Sequence, residues 1–219
     1  MTLDYENIEF AVNPEPRCPC VLLLDTSGSM SGHPISELNI GINTFEDELK
    51  KDKLAALRVE VAIVTFGPVI LKQDFITANQ FGAPTLQTTG DTPTGEAINF
   101  ALDRIEDRKK SYKANGIAYY RPWIFMITDG APTDYWQSAA TRVHNSEANK
   151  KVLFFAVGVE GANMEILNQI SPPNRAALKL DGLNFKEMFQ WLSSSMSNIS
   201  RSRPDDVVQL QAPGWGSTA

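Results

Sequence analysis

Three short segments hold the side chains best suited to chemistry: Asp25-Thr26-Ser27-Gly28-Ser29, Gly90-Asp91-Thr92-Pro93-Thr94-Gly95 and Asp129-Gly130. The candidate ligands Asp25, Ser27, Ser29, Thr92 and Asp129 are all hard oxygen donors, with no histidine or thiolate among them. Oxygen-only donor sets select magnesium, manganese or calcium over zinc or copper. Two carboxylates and three hydroxyls make an incomplete shell, and magnesium in particular keeps water and accepts few protein carboxylates. The open position is then either a catalytic one or a docking point for an incoming oxygen. Thr94 lies two residues beyond Thr92, and the residues alone leave either hydroxyl able to reach inward.

The elements that must position these groups follow from the apolar pattern. Continuous apolar runs at Cys20 to Leu24, Trp123 to Thr128 and Val152 to Val159 read as strands buried on both faces of a parallel sheet. Between them, Ile35, Leu38, Ile42, Phe45 and Leu49 step by three and four. So do Ile98, Leu102 and Ile105, and later Phe185, Met188, Phe189, Leu192, Met196 and Ile199, each series giving a helix one apolar stripe. Val59 to Phe66 and Val69 to Phe75 are separated only by Gly67-Pro68, too short for a parallel crossover, so they form an antiparallel hairpin. A short strand near Ala176 to Leu180 precedes the last helix. The predicted architecture is α/β and doubly wound, mostly parallel, with one antiparallel edge strand and helices on both faces. Ligands of such sheets bind beyond the carboxyl ends of the strands, where all three segments fall. The chain divides into an N-terminal extension (1–17), one domain (18–200) and a C-terminal tail (201–219) with no helical period.

Bulk properties narrow the function classes. The 219 residues are 42 % apolar, enough for one sizeable core. Twenty basic and 26 acidic residues are mixed along the chain and give a net charge of −6, which offers nothing for nucleic acid. No apolar run reaches a membrane span, and an N-terminus carrying Asp4, Glu6 and Glu9 does not read as a secretory signal. Cys18 and Cys20 flank Pro19, too close to form a useful cross-link. His33 and His144 lie too far apart in sequence to complete a zinc site with them, so the thiols read as strand residues in a reducing, cytoplasmic setting.

Taken together, Asp25-x-Ser27-x-Ser29, a threonine on a later loop and an aspartate after a later strand resemble the metal-ion-dependent adhesion site of the von Willebrand factor A fold, over roughly residues 18 to 200. Three segments resemble more narrowly the bacterial tellurium-resistance-associated branch, the TerY-like and YegL-like proteins: Arg17-Cys18-Pro19-Cys20, Ile127-Thr128-Asp129-Gly130-Ala131-Pro132-Thr133-Asp134 and Trp191-Leu192-Ser193-Ser194-Ser195. The resemblance implies that Ser27 and Ser29 bind the cation directly and Asp25 mainly through water. It also implies that Thr92, chosen over Thr94 by the family's spacing, exchanges roles with Asp129 when a partner's carboxylate docks. Its further implications are a stress-response setting, tellurite among the stresses, and a protein partner, with a kinase and phosphatase pair in view. Where Asp91 stands, family members usually have a second glycine, so an extra negative charge lies beside the rim.

Competing readings start from the same residues. Asp-x-Ser-x-Ser alone arises by chance in roughly one chain of this length in twenty, so specificity comes from the ordered set and its placement after strands. Thr92 before Pro93 reads equally as a helix N-cap, and Asp129-Gly130 as a turn. Asp25 after the first strand could be the nucleophile of a magnesium-dependent phosphohydrolase. Enzymes of the haloacid dehalogenase type, however, need a second aspartate where Ser27 stands, and a lysine that is missing near Pro132-Thr133. No phosphate-binding Gly-x-x-x-x-Gly-Lys loop and no general base is evident. A non-enzymatic binding module is therefore the expectation, and a structural subunit with a loop-rigidifying metal is the third reading. His33 reads as a rim or capping residue, and Asp134 as part of the first turn of the helix after Asp129 or of the rim. Tyr119, Tyr120 and Trp123 read as core in preference to a contact surface.

Overall fold

The computed structural model describes residues 5–204, 206 and 208–218, with side chains from Glu9 onward. Its elements are α1 (Tyr5–Val12), β1 (Cys18–Asp25), a 3-10 turn (Gly28–Met30), α2 (His33–Lys51), α3 (Lys53–Arg58), β2 (Val59–Phe66), β3 (Ile70–Thr77) and α4 (Thr94–Ala114). They continue with β4 (Trp123–Thr128), α5 (Gln137–Ala148), β5 (Leu153–Gly158), α6 (Met164–Ile170), β6 (Leu178–Leu180), α7 (Phe185–Ser200) and β7 (Gly216–Thr218). The sheet order is β3-β2-β1-β4-β5-β6-β7. Strands β2, β1, β4, β5 and β6 run parallel, and winding reverses between β1 and β4, which sets the ends of those two strands at the switch point.

Alternation along each strand divides the core in two. Cys20, Leu22 and Leu24 of β1 face α2 and α7, whereas Val21 and Leu23 face α4 and α5. Every residue of β1, β2 and β4 is buried, which is why β4 and the Cys20 to Leu24 part of β1 read as unbroken apolar runs. Gly41 lets α2 and α7 pack closely, since a Cβ there would lie 2.5 Å from Cδ2 of Phe189. Cys18 and Cys20 are buried, unbridged strand thiols, and burial raises both above the usual thiol range.

The hairpin from β2 to β3 is antiparallel and β3 forms one edge of the sheet. The other edge differs from expectation. The tail returns as β7, a second reversed strand paired to β6 through Leu178 with Thr218 and Leu180 with Gly216. A three-residue Gly-Ser-Thr strand has no period to read, and its docking depends on Trp215, buried beside Trp191 and Phe125. The helix α1 likewise lacked a signal. It lies at the pole where the parallel strands begin, and its Glu9 joins a buried ionic cluster around Glu60 of β2. Arg17 Nε and Arg108 Nε donate to Glu60 at 2.8 and 2.9 Å, and the Tyr112 hydroxyl donates to the same carboxylate. Removing one member of such a cluster would strand a buried charge. No described helix is long and apolar enough to cross a membrane.

Candidate metal centre

The pole opposite the Glu60 cluster collects the three segments. Asp25 is the last residue of β1, and its carboxylate is fully buried. Its Oδ1 accepts from the Ser27 backbone N–H at 2.8 Å, and its Oδ2 accepts from the Thr128 hydroxyl at the end of β4. These bonds turn the chain sharply after β1 and aim the Ser27 and Ser29 hydroxyls across the switch point. Met30, wholly buried, anchors the turn from below. Ser27 Oγ lies 3.0 Å from Ser29 Oγ, and Ser29 donates to Asp129 Oδ1 at 2.7 Å.

The Thr92 segment is sewn to both neighbours. Gly28 N–H donates to Gly90 O at 3.2 Å, and Thr89 N–H donates to Thr26 O at 2.7 Å. Thr92 N–H donates to the Thr133 hydroxyl at 3.1 Å, while Thr133 N–H donates back to Thr92 O at 2.9 Å. Gly67 (φ 122°) makes this close approach possible, since a Cβ there would lie 2.7 Å from Thr89 O and 2.9 Å from Ser27 N. The Thr92 side chain is 6 % exposed. Its Oγ1 and Ser29 Oγ lie 3.3 and 3.9 Å from the point where a Gly130 Cβ would sit, so both hydroxyls converge beside Asp129. Thr94 points elsewhere, its hydroxyl donating to Thr92 O at 3.4 Å. All five candidate residues therefore come together, and Asp91 is exposed on the rim beside them.

Two ordinary readings of these residues do not hold. Thr92 caps no helix. Helix α4 starts at Thr94 with Pro93 at the cap position, and its N-terminal donors Gly95 N–H and Glu96 N–H are taken by the Asp134 carboxylate at 2.9 and 2.8 Å. Asp134 is accordingly not in the first turn of the helix that follows it, because α5 begins only at Gln137. It ties the β4–α5 loop to α4 instead. His33 opens α2 with an exposed ring 3.4 Å from Glu37. The supporting roles of Thr128, Thr133 and Asp134 were not legible, although all three lie in the Ile127 to Asp134 segment that stood out in sequence. What places them is pairing across loops, which no local spacing encodes.

The electrostatics call for a cation. Burial raises the Asp25 carboxyl above the usual range against the lowering effect of its hydrogen bonds, and Asp129 adds repulsion. Burial also raises Asp129, against the Ser29 hydrogen bond. Among the described residues neither carboxylate has an ion-pair partner, although both are at least nine-tenths buried. The described residues contain no group of three or more His, Cys, Asp or Glu side chains placed for a metal, as expected when hydroxyls supply most of the donors. Ligands 2.0–2.1 Å from an octahedral ion sit about 3 Å apart. The 3.0 and 2.7 Å oxygen separations along Ser27, Ser29 and Asp129 fit the edges of such a shell.

Comparison with known proteins agrees with this fold. No curated protein sequence matches the chain. Among solved structures, the pilus adhesin SpaC from Lactobacillus rhamnosus GG superposes with a TM-score of 0.68 at 13 % identity, over 84 % of this chain and 30 % of that one. Proximal thread matrix protein 1 from the mussel byssus gives 0.58 at 16 % identity, over 85 % of this chain and 46 % of that one. A further form of that mussel protein has a zinc-occupied MIDAS motif. The VWA domain of SpRpn10 gives 0.55 at 11 % identity, over 88 % of this chain and all of that one. The chain thus spans less than half the length of the adhesin and the byssus protein. These likenesses establish the fold, and the von Willebrand factor type A domain model matches residues 20–191. With that match running over most of its length, the chain belongs to the von Willebrand factor type A domain family.

Proposed function

We propose that the Asp25 pole is a metal-dependent docking centre for an acidic side chain of a protein partner, with no covalent chemistry. The observation that carries this is the convergence of two buried, unpaired carboxylates with three hydroxyls around one point at the switch of the sheet. Ser27, Ser29, Thr92 and Asp129 would hold a divalent cation, magnesium by preference of the donor set, with Asp25 behind them. The bound cation supplies an electrophilic position for a carboxylate oxygen. The Thr92 hydroxyl lies beside Asp129, and holding a cation through this neutral hydroxyl in place of the carboxylate would lower the negative charge facing the partner and strengthen docking.

The rival phosphohydrolase reading asks Asp25 to attack a phosphorus atom. Its carboxylate is fully buried and both oxygens are engaged, one by Ser27 N–H and the other by the Thr128 hydroxyl. A nucleophile needs a free lone pair facing substrate, so the geometry favours binding over catalysis. The three segments that resemble TerY-like and YegL-like proteins support a cytoplasmic stress-response setting of the tellurite-resistance type, with a kinase and phosphatase pair as partners.

The test is a pull-down from native lysate with the tagged chain in magnesium and in EDTA, with circular dichroism showing both samples folded. Retention of a partner only with magnesium is the expected result. Partners indifferent to EDTA would move the metal to a structural role and end the docking reading.

A further inference from the structure

A second site lies at the opposite pole, where β4 and β5 begin, as a cavity of about 760 Å³ between the body of the domain and the returning tail. Its volume falls in the range of small-molecule pockets, about 300–1,000 Å³. Among the described residues, the cations Lys109, Arg121, Lys150, Lys151 and Arg175 line it against one acid, Asp206, in a protein whose net charge is −6. Such segregation in a concave site focuses a positive potential.

The cations are only partly neutralised. Lys109 pairs with Glu106, but Arg121 and Arg175 share one oxygen of Glu147, at 3.1 and 3.3 Å. Lys150 and Lys151 form no ion pair among the described residues, and Arg175 Nε is buried without a hydrogen-bond partner. Apolar surface completes the lining: Tyr119, packed on Tyr112 at 5.3 Å, with Trp123 and Leu153 on the body and Val208 and Leu210 on the tail. The tail wall is anchored at both ends. The Tyr120 hydroxyl bonds Ser202 O at 2.6 Å, and Trp191 Nε1 donates to Gln211 O at 3.0 Å.

We propose that this cavity binds a small organic anion with a flat apolar body and a phosphate- or carboxylate-type head, the head between Lys150, Lys151 and Arg175 and the body against Tyr119 and the tail. Arg121 also donates to Val152 O and Glu147 O, so the head supplies the acceptor that Arg175 lacks, and the body covers apolar surface on both walls. This site is independent of the metal centre, and the ligand is a small molecule because the walls belong to one chain and enclose it.

The experiment is calorimetric titration of the full chain with 2-naphthyl phosphate, inorganic phosphate and 2-naphthol, in EDTA so that the metal centre is silent. The expected result is saturable one-to-one binding of 2-naphthyl phosphate, at least about tenfold tighter than either fragment. A folded Lys150→Glu/Lys151→Glu variant should bind it about tenfold or more weakly. Inorganic phosphate binding as tightly, naphthol binding as tightly, no saturable binding, or a folded charge-reversed variant with unchanged affinity would each overturn the proposal. If the double variant fails to fold, the comparison of three ligands on the native chain decides alone.

Discussion

Ser29 and Asp129, 100 positions apart in sequence, are joined by a 2.7 Å hydrogen bond from the Ser29 hydroxyl to Asp129 Oδ1. That bond closes the loop after β1 onto the loop after β4, and everything the metal centre needs is arranged around it. Asp25 is hydrogen-bonded to the Ser27 N–H of the same turn, without any cationic neighbour among the described residues to offset its charge. Asp25→Ala is therefore expected to abolish magnesium and manganese binding in calorimetry while the chain stays folded by circular dichroism. Affinity within a few-fold of the native chain would remove Asp25 from the centre.

Thr92 tests the switch rather than the metal. Its backbone is held by two hydrogen bonds with Thr133, so truncating the side chain leaves the loop in place. Thr92→Ala should keep most of the metal affinity and lose most of the magnesium-dependent partner capture. Capture at the native level would show that the hydroxyl does not exchange with Asp129.

Legibility of the site and fold divides along a physical line. The five candidate residues stand out because Asp25, Ser27, Ser29 and Asp129 follow apolar runs of a parallel sheet, because Thr92 precedes a helical pattern, and because hydroxyl and carboxylate types suit a hard cation. The choice of Thr92 over Thr94 came from family spacing, and the structure supplies the reason: Thr94 spends its hydroxyl on Thr92 O. Asp134 was misplaced because a carboxylate just before a helix looks like its cap, whereas here it caps α4 across the site. Strand β7 and helix α1 left no trace in periodicity. One depends on the burial of Trp215 and the other on the charges around Glu60, both set by tertiary contacts.

Gly130 offers a steric probe of the same geometry. A methyl group there would lie 3.3 Å from Thr92 Oγ1, tight enough to push that hydroxyl by a few tenths of an ångström. Gly130→Ala should weaken metal binding or partner capture, with stability changed by less than about 1 kcal/mol, as for a small adjustment at a half-buried loop position. A variant identical to the native chain in both binding assays would remove the Thr92 hydroxyl from the proposed docking centre.

Asp52 separates α2 from α3, and its Oδ1 accepts from Leu54 N–H and Ala55 N–H at 3.0 and 3.2 Å. Burial opposes its ionisation, but these N–H groups and the Arg201 guanidinium outweigh that and hold its carboxyl below the usual range. A lowered folded value means the stabilisation is present above the unfolded pKa, about 3.9, and is lost as pH falls through the folded one. Asp52→Ala should cost about 1 kcal/mol in urea melts at pH 7. The gap between variant and native should narrow below about pH 4. A gap independent of pH would assign the loss to packing.

Trp215 holds the tail to the body. It is 2 % exposed, lies 5.6 Å from Trp191 and 6.3 Å from Phe125 between ring centroids, and precedes the strand that covers the β6 edge. Trp215→Ala removes one of the two indoles of that cluster and should cost about 3–5 kcal/mol in a urea melt. Because β7 docks through it, the same change should also bare the β6 edge and raise the tendency to aggregate, which light scattering measures. The candidate metal centre lies at the switch between β1 and β4, with β5 and β6 between it and β7, so magnesium affinity of the folded variant should match the native value. A variant that lost metal affinity while still folded would instead tie the tail to the docking centre.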